Sequence, residues 1–366
     1  MFGLIPIDIM LLFMLYAAGA TTAAIACVYL LVRRGNAFAP DVVTPVRLRR
    51  WTAAFFCVLA LGHLWYMPAV MVTSSEAVML CMLIGALLDC MLVVPLAIII
   101  LLCMLQDRKR PLWPAFAAVA PLVILMVVSI VNHNNALLPW LNGYLLLLGI
   151  GLTIYMVRAV RQYGRWLRDS YADLEHKEVW QSFLVLGVIL LMFGIYVSGV
   201  GGQAYEYIVQ VCDIALICFL LWRVETLSDL SISQPLAVAV EEKAAEEKST
   251  TADDDIGALL QLYCVDTKLY LQHDLTVTQL AQAIGTNRFY LGQYFSRQDT
   301  TYNAYINTLR INHFVRLYRE SVAAQRQFTA QQLANDSGYR SYSTFSLAFK
   351  QRMGQSVTAW MREQET

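Results

Sequence analysis

Seven apolar stretches, each near the roughly 20 residues a helix needs to cross a bilayer, restrict this chain more than any other feature. They occupy residues 7–32, 51–72, 77–105, 112–131, 137–157, 180–200 and 205–222 of a 366-residue sequence. Composition agrees: 58% of the residues are hydrophobic and 15% charged, against about half and a quarter in an ordinary soluble domain. A single soluble globule is excluded, as is a disordered or collagenous chain. The formal net charge of zero hides a division: residues 1–224 carry +3, residues 225–255 carry −7 and residues 256–366 carry +4.

The segments between the stretches set an orientation. Arg33, Arg34, Arg47, Arg49 and Arg50 lie between the first and second, Arg108, Lys109 and Arg110 between the third and fourth, and Arg158, Arg161, Arg165, Arg168 and Lys177 between the fifth and sixth. The alternate loops contain no Lys or Arg. Basic loops stay cytoplasmic, so the expected topology has the N-terminus outside, seven spans and the C-terminus inside. Trp51, Trp113, Trp140, Trp180 and Trp222 fall near span ends, where amphipathic rings prefer the interface. The first stretch lacks a basic leader and runs into Arg33 and Arg34, which reads as a retained anchor. The third is long and contains Pro95, a pattern that predicts a tilt or kink.

The outer loops are too short for a sensory domain, so a signal must enter the bundle, the lipid or a partner membrane protein. Polar groups inside spans are costly and mark the candidates: Asp89 and Asp213 in mid-span, His63 and Glu206 nearer the outer side. The competing reading for each is interhelical hydrogen bonding. Seven of the eight cysteines lie in apolar stretches, with Cys264 outside them, and no CxxC or His/Cys cluster occurs. No metal or cofactor is expected. The amphipathic stretch 158–177 reads first as a basic inner loop, with contact to the inner leaflet or to the C-terminal domain as alternatives.

From Glu225 the sequence turns polar and acidic, which reads as a flexible tether over 225–255. The C-terminal part, 256–366, then shows a repeated pattern. In LTVTQLAQAIGTNRFYLGQYF, Val277, Leu280, Ala281 and Ile284 form one helix face, Gly285 allows a tight turn, and Leu291 and Phe295 point inward from a second helix. In FTAQQLANDSGYRSYSTFSLAFKQRMG the same places hold Leu333, Ala334, Gly338, Phe345 and Phe349. The two glycines are 53 positions apart, and an amphipathic helix carrying Tyr305, Ile306, Leu309, Phe314 and Leu317 lies between. Two helix-turn-helix patterns joined by a helix are a far stronger signal than one.

This arrangement resembles the AraC/XylS family of bacterial transcription regulators over 256–361, most specifically in GYRSYSTFSLAFKQRMGQS. Val357 stands where the family usually has proline, and RQDTTY after the first recognition helix lacks a glycine, which points to an altered turn between modules. The membrane half looks like that of the membrane-spanning regulators that carry this domain at the C-terminus. The resemblance implies two recognition helices in successive major-groove segments. It places Arg288, Phe289 and Gln293 of the first helix, and Tyr342, Ser343 and Ser346 of the second, toward base edges, with Arg297, Arg340, Ser341 and Lys350 placed for phosphate. Gly292 has no side chain to read with, and Leu347 stands where relatives often carry a polar reader. Arg310 and Arg316 on the connecting helix are either structural or DNA contacts.

The expected fold class is therefore all-α: a seven-helix transmembrane bundle (1–224), the tether (225–255) and a soluble domain of AraC type with two helix-turn-helix motifs (256–366). The expected function is a non-enzymatic, membrane-embedded transcription regulator in the bacterial cytoplasmic membrane, with its DNA-binding domain in the cytoplasm. A transporter or a membrane-anchored DNA tether is the alternative. Expected partners are double-stranded DNA, the lipid bilayer, RNA polymerase for an activator, a second copy of the chain as a homodimer, and an unidentified ligand or membrane partner.

Overall fold

The computed structural model describes residues 7–68, 73–132, 136–182, 187–188, 202–230 and 253–364. It is helical throughout these residues, with no strand and one isolated antiparallel bridge, Tyr171 to Thr276. Two compact units divide the chain: Met1–Arg161 with Val179–Ser233, and Gln162–Glu178 with Gln234–Thr366.

The first unit contains α1 (Ile7–Val32), α2 (Val46–Trp65), α3 (Ser75–Leu88), α4 (Val94–Met104), α5 (Trp113–Val131), most of α6 (Leu138–Ser170) and α7 (Gly202–Thr226). Five apolar helical segments are long enough to cross a membrane: Met10–Val32, Ser75–Met104, Trp113–Val131, Leu138–Ser170 and Tyr205–Thr226. Two of the seven expected spans, 51–72 and 180–200, are not among these five found in the described residues, for different reasons. Helix α2 forms, but Arg47, Arg49 and Arg50 occupy its first turn and dilute its apolar character. The stretch 180–200 lies mostly outside the described residues.

Pro95 has the local effect its chemistry requires. It has no N–H to donate and its ring crowds the preceding turn. A π-helical turn, Asp89–Val93, precedes it and separates α3 from α4. The N–H of Val94 reaches the carbonyl of Asp89, which satisfies the widened turn.

Glu225 to Leu230, read from sequence as the start of the tether, pack within this unit. Glu225 is 0% exposed and its carboxylate lies 3.1 Å from Arg33 Nε. Asn36 donates to the Glu225 carbonyl at 2.6 Å. Gln106 donates to the Ser228 carbonyl and accepts from the Leu230 N–H, both at 2.9 Å. A charge buried this completely persists only with a partner, so Arg33 and Glu225 depend on one another. Of the expected tether, residues 231–252 lie outside the described residues.

The second unit is built on two apolar clusters. α8 (Asp253–Leu260), α9 (Val277–Ala283) and α10 (Arg288–Arg297) surround the first, with Leu280, Leu291, Phe295, Tyr302 and Ile306 at its centre. α12 (Ala330–Asp336), α13 (Tyr342–Met353) and α14 (Val357–Gln364) surround the second, with Phe314, Tyr318, Phe345, Phe349 and Trp360. The connecting helix α11 (Tyr302–Ala323) supplies both: its first half enters one cluster and its second half the other. Cys264 is buried in the first cluster as a small apolar packing residue.

Segment 162–178 also belongs to this unit. The contact with the C-terminal domain, held open as an alternative from sequence, is present. Ala172 is 2% exposed within the first cluster, its N–H donates to the Leu275 carbonyl at 3.1 Å, and Asn303 donates to the carbonyls of Tyr171 and Ala172.

The two turn glycines have equivalent backbone and different surroundings. Gly285 has φ +73° and Gly338 φ +88°, where an L side chain is strained. A Cβ at Gly285 meets nothing within 4 Å, whereas one at Gly338 would lie 2.8 Å from the Leu271 backbone. Gly285→Ala should therefore cost about 1 kcal/mol and Gly338→Ala about 3–5 kcal/mol. Pulse proteolysis of the full-length variants in denaturant, read on fragments of 253–364, measures both; equal losses would contradict this description.

Candidate nucleic-acid interface

Each helix-turn-helix begins with the same device. Thr276 accepts from the Gln279 N–H while the Gln279 side chain accepts from the Thr276 N–H, forming a capping box at α9. Thr329 and Gln332 repeat it at α12. Both satisfy helix-end donors reciprocally and fix where each motif starts. The second helices are also capped, α10 by Asn287 accepting from the Tyr290 N–H and α13 by Ser341 accepting from the Thr344 N–H. The motif sequences thus mark the helix starts by local chemistry.

The opposite faces of α10 and α13 hold the expected DNA-contacting residues. On α10, Leu291 and Phe295 are buried while Phe289, Gly292, Gln293 and Arg297 are exposed. On α13, Phe345 and Phe349 are buried, Ser343, Leu347 and Lys350 exposed, and Tyr342 and Ser346 intermediate. Phe289 is 70% and Leu347 61% exposed. Large apolar side chains this exposed on the two helices suit thymine methyl groups. An added Cβ at Gly292 meets nothing within 4 Å.

Four of the expected DNA-contacting residues, Arg288, Arg340, Ser341 and Ser343, are engaged within the unit. Arg288 donates to Ser170 Oγ at 2.7 Å. Ser341 and Thr344 both donate to the Glu175 carboxylate, and the Ser343 hydroxyl lies 3.0 Å from that of Ser341. Arg340 and Lys177 meet Asp274 at 3.2 and 3.1 Å. Burial alone would raise Asp274, but these cations overcome it and hold its carboxyl below the usual range. An open groove of about 980 Å³ runs along α10, bounded by Asp169, Asn287, Arg288, Gln293 and Ala304.

Arg310 resolves to a structural role. It is 1% exposed, donates from Nε to the Tyr270 carbonyl at 2.7 Å and from Nη2 to the Gln272 carbonyl at 2.8 Å, and stands 5.5 Å from the Tyr339 ring centre. Arg316 is half-exposed, donates to His313 Nδ1 at 2.9 Å and pairs weakly with Glu320. His313 Nδ1 also receives the Tyr270 hydroxyl at 3.0 Å. Burial, with Arg316 and Lys268 nearby, pushes its pKa down, so the neutral ring is the structural form. Sequence periodicity could not assign Arg310, because its partners are backbone carbonyls forty and thirty-eight positions away.

In the first unit, His63 Nε2 lies 3.9 Å from Asp213 and its ring packs edge-on to Tyr16 at 4.6 Å. Asp89 instead accepts from the Tyr66 hydroxyl at 2.6 Å. Gly85 makes this possible, since a Cβ there would overlap the Tyr66 ring. Glu206 is exposed. Among the described residues no group of three or more His, Cys, Asp or Glu could hold a metal ion.

Arg310→Ala should destabilise the second unit by about 3–5 kcal/mol, because two buried carbonyls lose their donor and a void remains. Hydrogen exchange of the full-length protein should show the loss in 269–272 and 338–349 together. Faster exchange confined to α11 would contradict the tie.

The family model for a helix-turn-helix domain matches residues 280–363, from within α9 to within α14. The match supports a DNA-binding domain of the AraC/XylS type in this part of the chain. No curated protein and no solved structure matches the chain.

Proposed function

We propose that the chain is a membrane-embedded, one-component transcription regulator of the bacterial cytoplasmic membrane. Its N-terminal unit crosses the bilayer seven times, N-terminus outside, and its C-terminal unit reads promoter DNA in the cytoplasm under control of a signal perceived in the bundle. The observation that carries this reading is the pair of capped helix-turn-helix motifs, with outward Phe289, Gln293, Ser343 and Leu347, in the same chain as five apolar helices of membrane-spanning length. Intramembrane Asp89, Asp213 and His63 are the proposed sensing groups, with Glu206 at the outer edge. Two copies held in one membrane would raise the effective concentration of the second DNA-binding unit at paired sites, and an activator would meet RNA polymerase there.

Phosphate contacts supply affinity and base contacts supply choice. Selection of genomic fragments by the full-length protein in neutral-lipid nanodiscs tests the reading and should recover a shared motif. Gln293→Ala should relax one base position at a cost of about 1–3 kcal/mol. Lys350→Ala should weaken all sequences alike and lower the salt slope by about one. Recovery of no motif, or a Gln293→Ala motif identical to the parent's, would refute sequence reading.

The topology has its own check. In intact cells a membrane-impermeant thiol reagent should label Ser74→Cys and leave Lys109→Cys unlabelled. The reverse pattern would place the DNA-binding unit outside and overturn the proposal.

A further inference from the structure

The second unit binds a segment of its own chain, with four carboxylates and three cations over 162–178, where DNA is expected to bind. Residues 162–178 follow in the chain directly on the fifth apolar stretch, and they reach the N-terminal ends of both α10 and α13. At α13, Glu175 accepts from Ser341, the N-cap, and from Thr344 at 2.9 Å. The Glu175 carboxylate thus occupies two hydroxyl donors at the start of α13, donors of the kind that also serve phosphate oxygens. At α10, Ser170 Oγ takes the Arg288 guanidinium at 2.7 Å, and Asp169 lines the groove that Arg288 and Gln293 share. The segment is held by Ala172 in the first apolar cluster, by the Tyr171–Thr276 bridge and by Asn303.

We infer that residues 162–178 are an autoinhibitory brace, which competes with DNA for the N-terminal ends of the two recognition helices and must leave them for the unit to bind. The inference rests on the DNA-binding reading above. The occupant is fixed by the structure, since Glu175 and Ser170 are already seated. Competition follows from charge: duplex DNA and the brace both present oxygen acceptors to Arg288, Ser341 and Thr344, and the carboxylates of Asp169 and Glu175 repel phosphate besides. A protein with this device has two states of different DNA affinity, and whatever shifts the brace shifts their populations.

The test uses the full chain in phosphatidylcholine nanodiscs and a 40-base-pair duplex of arbitrary sequence at low salt, so that no operator is needed. Glu175→Gln should tighten binding about three- to tenfold, and Asp169→Asn combined with it more than about tenfold. A second variant carries Tyr171→Cys with Thr276→Cys, which an antiparallel bridge places at disulfide distance. Its oxidised form should bind at least about tenfold more weakly than its own reduced form, with recovery on reduction. That comparison is made within one polypeptide, so loss of the Thr276 cap cancels. Equal affinities for the oxidised and reduced forms, or an unchanged affinity in Glu175→Gln, would overturn the brace while leaving the DNA-binding reading intact. Absence of duplex binding by every form, reduced and charge-neutralised included, would overturn both.

Discussion

A guanidinium removed from water survives only if its hydrogen bonds are replaced, and the DNA-binding unit is organised around one such replacement. Arg310 leaves the middle of α11, the helix shared by the two apolar clusters, and donates to the carbonyls of Tyr270 and Gln272. Those carbonyls lie in the short segment that Gly338 approaches closely enough to exclude a Cβ. Tyr339, next to Gly338, lies beneath the Arg310 guanidinium and meets the Phe345 ring of α13 edge-on. One buried cation thus links the segment leading into the first helix-turn-helix, the connecting helix and the turn of the second. Each module has a core of its own, and the His273–Gly338 hydrogen bond and the Arg340–Asp274 pair join Arg310 and the shared helix α11 in tying them together.

The residues adjoining this link carry charge outward. Asp274 lies two positions beyond Gln272 and holds Lys177 and Arg340, and Leu275 and Thr276 pair with Ala172 and Tyr171. The same short segment, 270–276, therefore anchors the connecting helix on one side and receives 171–177 on the other. The segment that follows the fifth apolar stretch is thus built into the second unit.

Much of this was legible in the sequence where the information is local. An apolar face marks the first helix of each helix-turn-helix, and glycine at 285 and 338 marks each turn; the structure shows the positive φ that these glycines imply and adds capping boxes at Thr276 and Thr329. The inward residues Leu291, Phe295, Phe345 and Phe349 follow from helical spacing and are buried. The proline-linked break in the third apolar stretch was equally visible. What escaped has a common cause. Arg310, Glu175 and Glu225 act through partners distant in sequence, often backbone atoms, and no periodicity or motif reports such contacts. Residues 158–177 read as a basic loop because charge placement near spans is a strong local signal, while the structure buries Tyr163, Leu167, Tyr171, Ala172 and Lys177. Helix α2 differs at its start: the expected span began at Trp51, whereas the helix begins at Val46 and takes in Arg47, Arg49 and Arg50.

The central claim is that two recognition helices of one unit enter successive major-groove segments of the same DNA. Hydroxyl-radical footprinting of the full-length protein on a selected genomic fragment addresses it directly. Two protected backbone tracts per unit on one face of the duplex, separated by about one turn of 10–10.5 base pairs, are the predicted result. Protection of a single tract, or uniform protection along the fragment, would contradict the account.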